Sequence, residues 1–135
     1  MALAVVWYSA WQMECCGDDF AVGDTVRWHL DDAPDPDWYD AALGPAVARR
    51  ITHAEDHHPS DHEFPVLIGR VIGIQRAWCG YGPTGKGDRV LSPISGSAWF
   101  EKVDESDLPG GRERGELIFN GWVVEVDLVG RAGSP

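Results

Sequence analysis

The sequence predicts a mainly β fold: a small SH3-like or OB-like barrel, or a rolled antiparallel sheet, with one short helix and long loops. Three observations support this prediction. Sixteen glycines and nine prolines in 135 residues provide many turns. Seven tryptophans and many valines, set against two methionines, favour strands over helices. Several apolar segments also alternate with the two-residue period of a strand, and the chain length suits a single domain over residues 1–135.

The first two strands are predicted from different patterns. Residues 2–8 are apolar at nearly every position, which is typical of a strand covered on both faces. Further along, Val26, Trp28 and Leu30 alternate with polar neighbours, as in a strand that is buried on one face. We expect the chain to enter this second strand through a turn at Gly23.

One short helix is predicted after the second strand. Asp35 is a suitable N-cap, Pro36 suits the first helical position, and Leu43 is followed by Gly44. The polar residues 49–65 that come next carry most of the histidines and are predicted to form a loop.

The second half of the chain predicts the central strand of the sheet. Residues 66–74 form a strongly β-branched run that continues toward Trp78, and Gly69 and Gly73 are candidate β-bulges or close-packing sites within it. Further strands are predicted at residues 88–94, 97–103 and 117–128, with turn-rich loops between them.

Charge and cysteine usage limit the classes of partner. A formal net charge of −11 and a pI near 4.6 exclude electrostatic binding to nucleic acid or to an anionic membrane surface. The N-terminal residues lack the basic segment and long apolar run of a signal peptide, and three cysteines cannot all pair, so we expect a reduced, cytoplasmic protein. An unpaired sheet edge could support a homodimer.

An unusual string, Trp-Gln-Met-Glu-Cys-Cys-Gly, stands at residues 11–17. It is followed by Phe-x-Val-Gly-Asp-x-Val-x-Trp at 20–28, and later by Gly-x-Val at 69–71 and Trp-Cys-x-Tyr at 78–81. On these residues the chain resembles a family of short, uncharacterised actinobacterial proteins known only as a domain of unknown function. The resemblance identifies relatives and implies no activity.

The cysteines and two histidines form a candidate metal set with zinc as the candidate cofactor. Thiolate and imidazole groups from Cys15, Cys16, His57, His58 and Cys79 are the types that bind zinc tetrahedrally, and all five are expected at strand ends or in loops. Their spacing matches no standard zinc finger. One alternative is a buried cysteine beside a solvated histidine loop, and another is a reactive cysteine with a histidine as its base.

A second candidate site is a ligand-binding surface. Most tryptophans are expected to fill the core, but Trp11 and Trp38 lie beside predicted turns and could stack against a ligand. Gln12 and Glu14, from the same unusual string as Trp11, complete this candidate set.

The glycine-rich residues 80–87 have the glycine and lysine spacing of a phosphate-binding loop. Gly87 stands where that loop has Ser or Thr, and no helix is predicted after it, so the pattern indicates a hairpin loop and not a nucleotide site.

The sequence contains no complete catalytic motif and assigns no catalytic residue. We therefore expect a non-catalytic binding or regulatory module that recognises a protein or a small molecule through loops at one end of the barrel. The alternative is a metal-dependent or cysteine-dependent enzyme that uses the cysteine and histidine set, with Cys15 or Cys16 and His57 or His58 as the working residues and Glu14 as a candidate acid or base.

Overall fold

The computed structural model describes residues 2–32, 35–56, 66–83, 91–109, 111 and 113–131, with the backbone alone at 15, 16 and 131. The elements are β1 (Ala2–Ser9), α1 (Ala10–Cys16), β2 (Thr25–Asp32), α2 (Pro36–Leu43), α3 (Pro45–Ala48), β3 (His53–Glu55), β4 (Val66–Cys79), β5 (Tyr81–Pro83), β6 (Leu91–Pro93), β7 (Trp99–Val103), β8 (Glu113–Arg114) and β9 (Leu117–Arg131). None of the helices in these ranges has the length and apolarity needed to cross a membrane.

Strands β1, β3, β2, β4 and β9 follow one another around a closed barrel. The sheet order is β7-β4-β2-β3-β1-β9-β8, and a further pairing of β4 with β9 closes the ring. Neighbours in the ring are antiparallel except β1 and β3, which are parallel. The predicted mainly β barrel is therefore confirmed.

The two longest strands, β4 with 14 residues and β9 with 15, pair with each other along most of their length. The pairing shifts register at Gly69 and between Val71 and Gly73, which confirms the predicted bulges. Gly69 has a further role, because an added Cβ would collide with the Val126 side chain on β9. The bulges let β4 curve, so that one of its edges pairs first with β2 and then with β7.

Aromatic side chains fill the inside of the barrel. The ring of Tyr8 lies 5.3 Å from Phe20, 5.3 Å from Trp28 and 5.9 Å from Trp122, between ring centroids. Tilted and edge-to-face contacts of this kind add to the free energy of burial. Trp122 is fully buried and Trp28 packs against the same cluster, so both have the predicted inward orientation.

A second apolar layer covers the outside of the barrel wall. Val5 and Trp7 of β1 and Cys79 of β4 lie in this layer, packed with Tyr39 and Leu43 of α2. Because its inward residues reach the barrel interior, β1 is buried on both faces from Ala4 to Tyr8, as its apolar sequence predicted.

Helix α2 has the predicted bounds and cap: an oxygen of Asp35 accepts a hydrogen bond from the Trp38 backbone N–H at 3.2 Å. The prediction of a single helix is wrong, because the described residues also form α1 and α3. Helix α1 consists largely of good helix formers, including Ala10, Gln12 and Met13.

The predicted loop over residues 49–65 is wrong in one part. Its residues His53–Glu55 form β3, which completes the barrel between β1 and β2. A strand of three residues is too short to show an alternating pattern in the sequence.

Candidate ligand-binding site

A cavity of about 480 Å³ lies on the outer side of the barrel wall, where β1 passes into α1 and where α2 begins. Strands, helix starts and strand ends all contribute to it. The lining residues are Trp7, Ser9, Ala10, Trp11, Gln12, Asp31, Asp35, Trp38, Tyr39, Ala54, Glu55, Asp56, Tyr81 and Asn120. Most of these positions belong to helices and strands, which hold the walls in fixed places.

Aromatic rings form one wall of the cavity. Trp7 lies 5.5 Å from Trp38 and 6.5 Å from Tyr39 between ring centroids, and Trp38 lies 5.9 Å from Tyr39. Trp7 and Tyr39 are buried in the outer apolar layer, whereas Trp38 is half-buried. Trp11 stands at the rim of the cavity with 58% of its surface exposed, so this ring is accessible to a ligand.

Four carboxyl groups line the same cavity from three parts of the chain. Asp31 belongs to β2, Asp35 caps α2, and Glu55 and Asp56 stand at the end of β3. Among the described residues that line the cavity, none is Lys, Arg or His. The ionised carboxyl groups therefore give the described lining a negative formal charge.

Glu55 is buried, with 4% of its surface exposed. Burial first, and then the nearby Asp56, raise the pKa of its carboxyl from the ordinary 4.5 to about 8, against the opposing effect of His29. At neutral pH, Glu55 is therefore mainly protonated. Tyr39 also stays neutral, because burial first, and then Asp35 and Asp31, raise its pKa to about 12.

Gln12 connects α1 to the acidic end of β3. Its side chain is buried, with 2% exposed, and its Nε2 donates a hydrogen bond to Asp56 Oδ1 at 3.2 Å. The backbone N–H of Asp56 donates to the carbonyl of His29 at 3.0 Å, which anchors Asp56 to β2 as well. Gln12 thus holds a cavity carboxylate in position.

A short hydrogen-bond chain runs from the cavity into the outer apolar layer. The Tyr81 hydroxyl donates to Asn120 Oδ1, and Asn120 Nδ2 donates to Cys79 Sγ at 3.0 Å. Cys79 is fully buried, and burial raises the pKa of its thiol, although the hydrogen bonds from Asn120 and Tyr81 oppose this effect. The raised pKa disfavours the thiolate that a nucleophilic cysteine requires.

Three of the four predicted ligand-binding residues line this same cavity: Trp11, Gln12 and Trp38. Glu14 is an exposed residue of α1 and does not belong to the lining.

Sequence reasoning missed several of the lining residues, including Trp7, Glu55 and Asn120. Trp7 could have been found, because a strand that is apolar on both faces must carry half of its large side chains on its outer face. Glu55 and Asn120 reach the cavity only through strand pairing between distant parts of the chain.

The proposed zinc set stays a prediction. Cys79 lies in the outer apolar layer, while His57 and His58 are outside the described residues. The backbone of Cys15 and Cys16 belongs to α1, which corrects their expected position at a strand end or in a loop. Within the described ranges, no three His, Cys, Asp or Glu residues are arranged to hold a metal ion.

Comparison with known proteins gives a family but no described relative. No curated protein and no solved structure matches the chain. One protein family, described as a family of unknown function (DUF6578), matches residues 2–128, which include β1 to β4, most of β9 and every residue that lines the cavity. The chain therefore belongs to this family of unknown function.

Proposed function

We propose that the protein is a non-catalytic binding module and that its ligand site is the cavity beside α1 and α2. The observation that carries this proposal is the cavity itself: a concave space of about 480 Å³ with aromatic walls and a few polar groups. Small-molecule sites typically have this composition and volumes of roughly 300–1,000 Å³. The ligand enters between helices and the barrel wall, not through loops at one end of the barrel.

Among the cysteines, Cys79 alone has its side chain within the described residues, and its surroundings are unsuited to a nucleophile; the cysteine-dependent alternative would instead use Cys15 or Cys16. Cys79 is enclosed by the outer apolar layer, and its raised pKa works against thiolate formation. We propose that the module acts in the reducing cytoplasm, which suits the buried Cys79 that forms no disulfide.

Trp11 provides the sharpest test, because the ring is exposed and its removal should leave the fold intact. A fragment library would be screened by ligand-observed NMR against the wild type, Trp11→Ala and Trp38→Ala. Trp99→Ala is the matched control, since Trp99 is 36% exposed and lies outside the cavity lining.

We expect fragments that bind the wild type to lose most of their signal with Trp11→Ala and Trp38→Ala and to keep it with Trp99→Ala. Unfolding curves of the unliganded variants would verify that Trp11→Ala is folded. Fragments that bind all three variants equally well, or a library that yields no ligand, would overturn the proposed site.

A further inference from the structure

The cavity combines negative charge with aromatic surface, and this pairing defines a class of ligand. Asp31, Asp35 and Asp56 line it together with Glu55, which is mainly protonated at neutral pH, and the described lining residues include no Lys, Arg or His. We propose that the ligand is a small organic cation: a protonated amine or a guanidinium group on an apolar frame. This inference rests on the proposed function, since it names the ligand of the same cavity.

The charge of the cavity carboxylates favours the binding of a cationic ligand over that of a neutral or anionic one. Carboxylates in a partly enclosed space interact with a ligand charge at a lower effective dielectric constant than in water, so they attract a cation and repel an anion. Carboxylate oxygens also accept hydrogen bonds from N–H donors, and such charge-assisted bonds are stronger than neutral ones. Ammonium and guanidinium groups provide both the charge and the donors.

The aromatic wall explains why the cation should be organic. The rings of Trp7, Trp38 and Tyr39 lie within 6.5 Å of one another, and Trp11 stands at the rim. Tryptophan rings attract cations through their electron-rich faces and also bury apolar surface. A hydrated metal ion would gain little from these rings and prefers six or more oxygen ligands, as in calcium sites.

The volume of the cavity favours a small molecule over a segment of protein. About 480 Å³ accommodates a ligand with one aromatic ring and a charged group. A macromolecular partner would instead be expected to require a larger, flatter surface. The proposal therefore commits to a free small molecule, and a basic peptide becomes an alternative outcome of the test.

The test uses three probes of similar shape and different charge: benzylamine as the cation, benzyl alcohol as the neutral probe and benzoate as the anion. Benzylguanidine is added to represent the guanidinium class. Affinities for the full chain would be measured by calorimetry at pH 7 and low salt. We expect at least one cationic probe to bind about tenfold or more tightly than benzyl alcohol, and benzoate to bind least.

Two isosteric variants remove charge without removing the hydrogen-bond acceptor. In Asp35→Asn, the side-chain oxygen can still cap α2, and in Asp56→Asn it can still accept from Gln12. Each variant should lose about three- to tenfold in affinity for the cation and little for benzyl alcohol. Asp24→Asn is the matched control, because Asp24 accepts from the Ala21 N–H outside the cavity and its loss changes the net charge equally.

The outcomes separate this inference from the proposed function. Equal or tighter binding of benzyl alcohol or benzoate within the cavity overturns the cationic ligand and leaves the binding module in place. Tight binding of an arginine-containing peptide but of no small cation also overturns the inference in favour of a protein partner. A failure of every probe and of the fragment library overturns both proposals.

Discussion

Glu55 is the described carboxyl group whose ionisation the fold changes most. It lies at the end of β3, where burial raises its pKa from 4.5 to about 8. In the unfolded chain this carboxyl ionises at its ordinary pKa, so between pH 4.5 and 8 the folded protein binds more protons than the unfolded one. Across this window, Glu55 therefore makes the free energy of unfolding fall as the pH rises, and its contribution is most favourable below the window.

Glu55→Gln should remove this dependence, because the amide has a similar shape and does not ionise. We expect the variant to gain stability relative to the wild type as the pH rises from 5 to 8, by a few kcal/mol in total at about 1.4 kcal/mol for each pKa unit. Urea unfolding followed by circular dichroism at several pH values would measure this difference. The exposed Glu116→Gln variant controls for the loss of one charge. A difference between Glu55→Gln and the wild type that stays constant with pH would contradict the assignment.

At the scale of a single element, Gly17 explains the glycine of the unusual string. It ends α1, and its N–H donates to the Gln12 carbonyl at 3.0 Å. Its φ of −77° is open to any residue, so the requirement for glycine comes from space and not from backbone conformation. An added Cβ would collide with the Tyr8 hydroxyl inside the barrel and would press against the Cα of Met13.

Gly17→Ala should therefore destabilise the protein by about 1–3 kcal/mol, which is typical of overpacking. If the Tyr8 hydroxyl is the main obstacle, the same substitution should be less damaging in a Tyr8→Phe background. Chemical denaturation of the two single variants and the double variant would give the coupling free energy. Gly130→Ala is a suitable control, because no atom lies near the place of its added Cβ. Strictly additive effects would show that the hydroxyl is not the obstacle.

The helices and strands that could be predicted from the sequence are those whose own residues carry a cap or a long apolar pattern. Helix α2 has a capping Asp35 and a proline at its start, and β4 and β9 are long enough to show their apolar pattern. Helix α1 has seven residues and no side-chain cap, and β3 has three residues. Elements this short are determined by tertiary contacts, because their own sequence offers too few positions for a periodic signal.

At the scale of the whole molecule, the cavity could be predicted only in part for the same reason. The sequence predicts Trp11 and Trp38 because large aromatic residues beside turns suggest a binding surface, and Gln12 because it belongs to the same unusual string as Trp11. Glu55 reaches the cavity through the parallel pairing of β1 with β3, and Asn120 through a strand that begins more than a hundred residues after β1. A sequence pattern does not contain such long-range pairings, so the acidic half of the site appeared only in the fold.

Cys79 reports on whether the barrel and its outer layer unfold together. It is fully buried where β4 and β9 meet the layer beneath α2, and Asn120 donates a hydrogen bond to its sulfur. A thiol reagent can reach it only after this layer opens, and the raised pKa further slows its reaction in the folded state.

A Cys15→Ser, Cys16→Ser double variant leaves Cys79 as the only thiol that Ellman's reagent can label. The labelling rate of Cys79, divided by the rate of an exposed thiol, gives the free energy of the opening that exposes it. We expect this opening free energy to equal the global free energy of unfolding. This equality follows if α2 and the barrel form one cooperative unit, because the outer layer packs directly on β1, β4 and β9. The opening free energy should then fall with urea as steeply as the global value. An exposed thiol, introduced by Thr25→Cys with Cys79→Ala in the same background, gives the rate without protection. Fast labelling of Cys79 that does not depend on urea would instead show that α2 opens locally, and would make the cavity wall that α2 supplies a mobile part of the site.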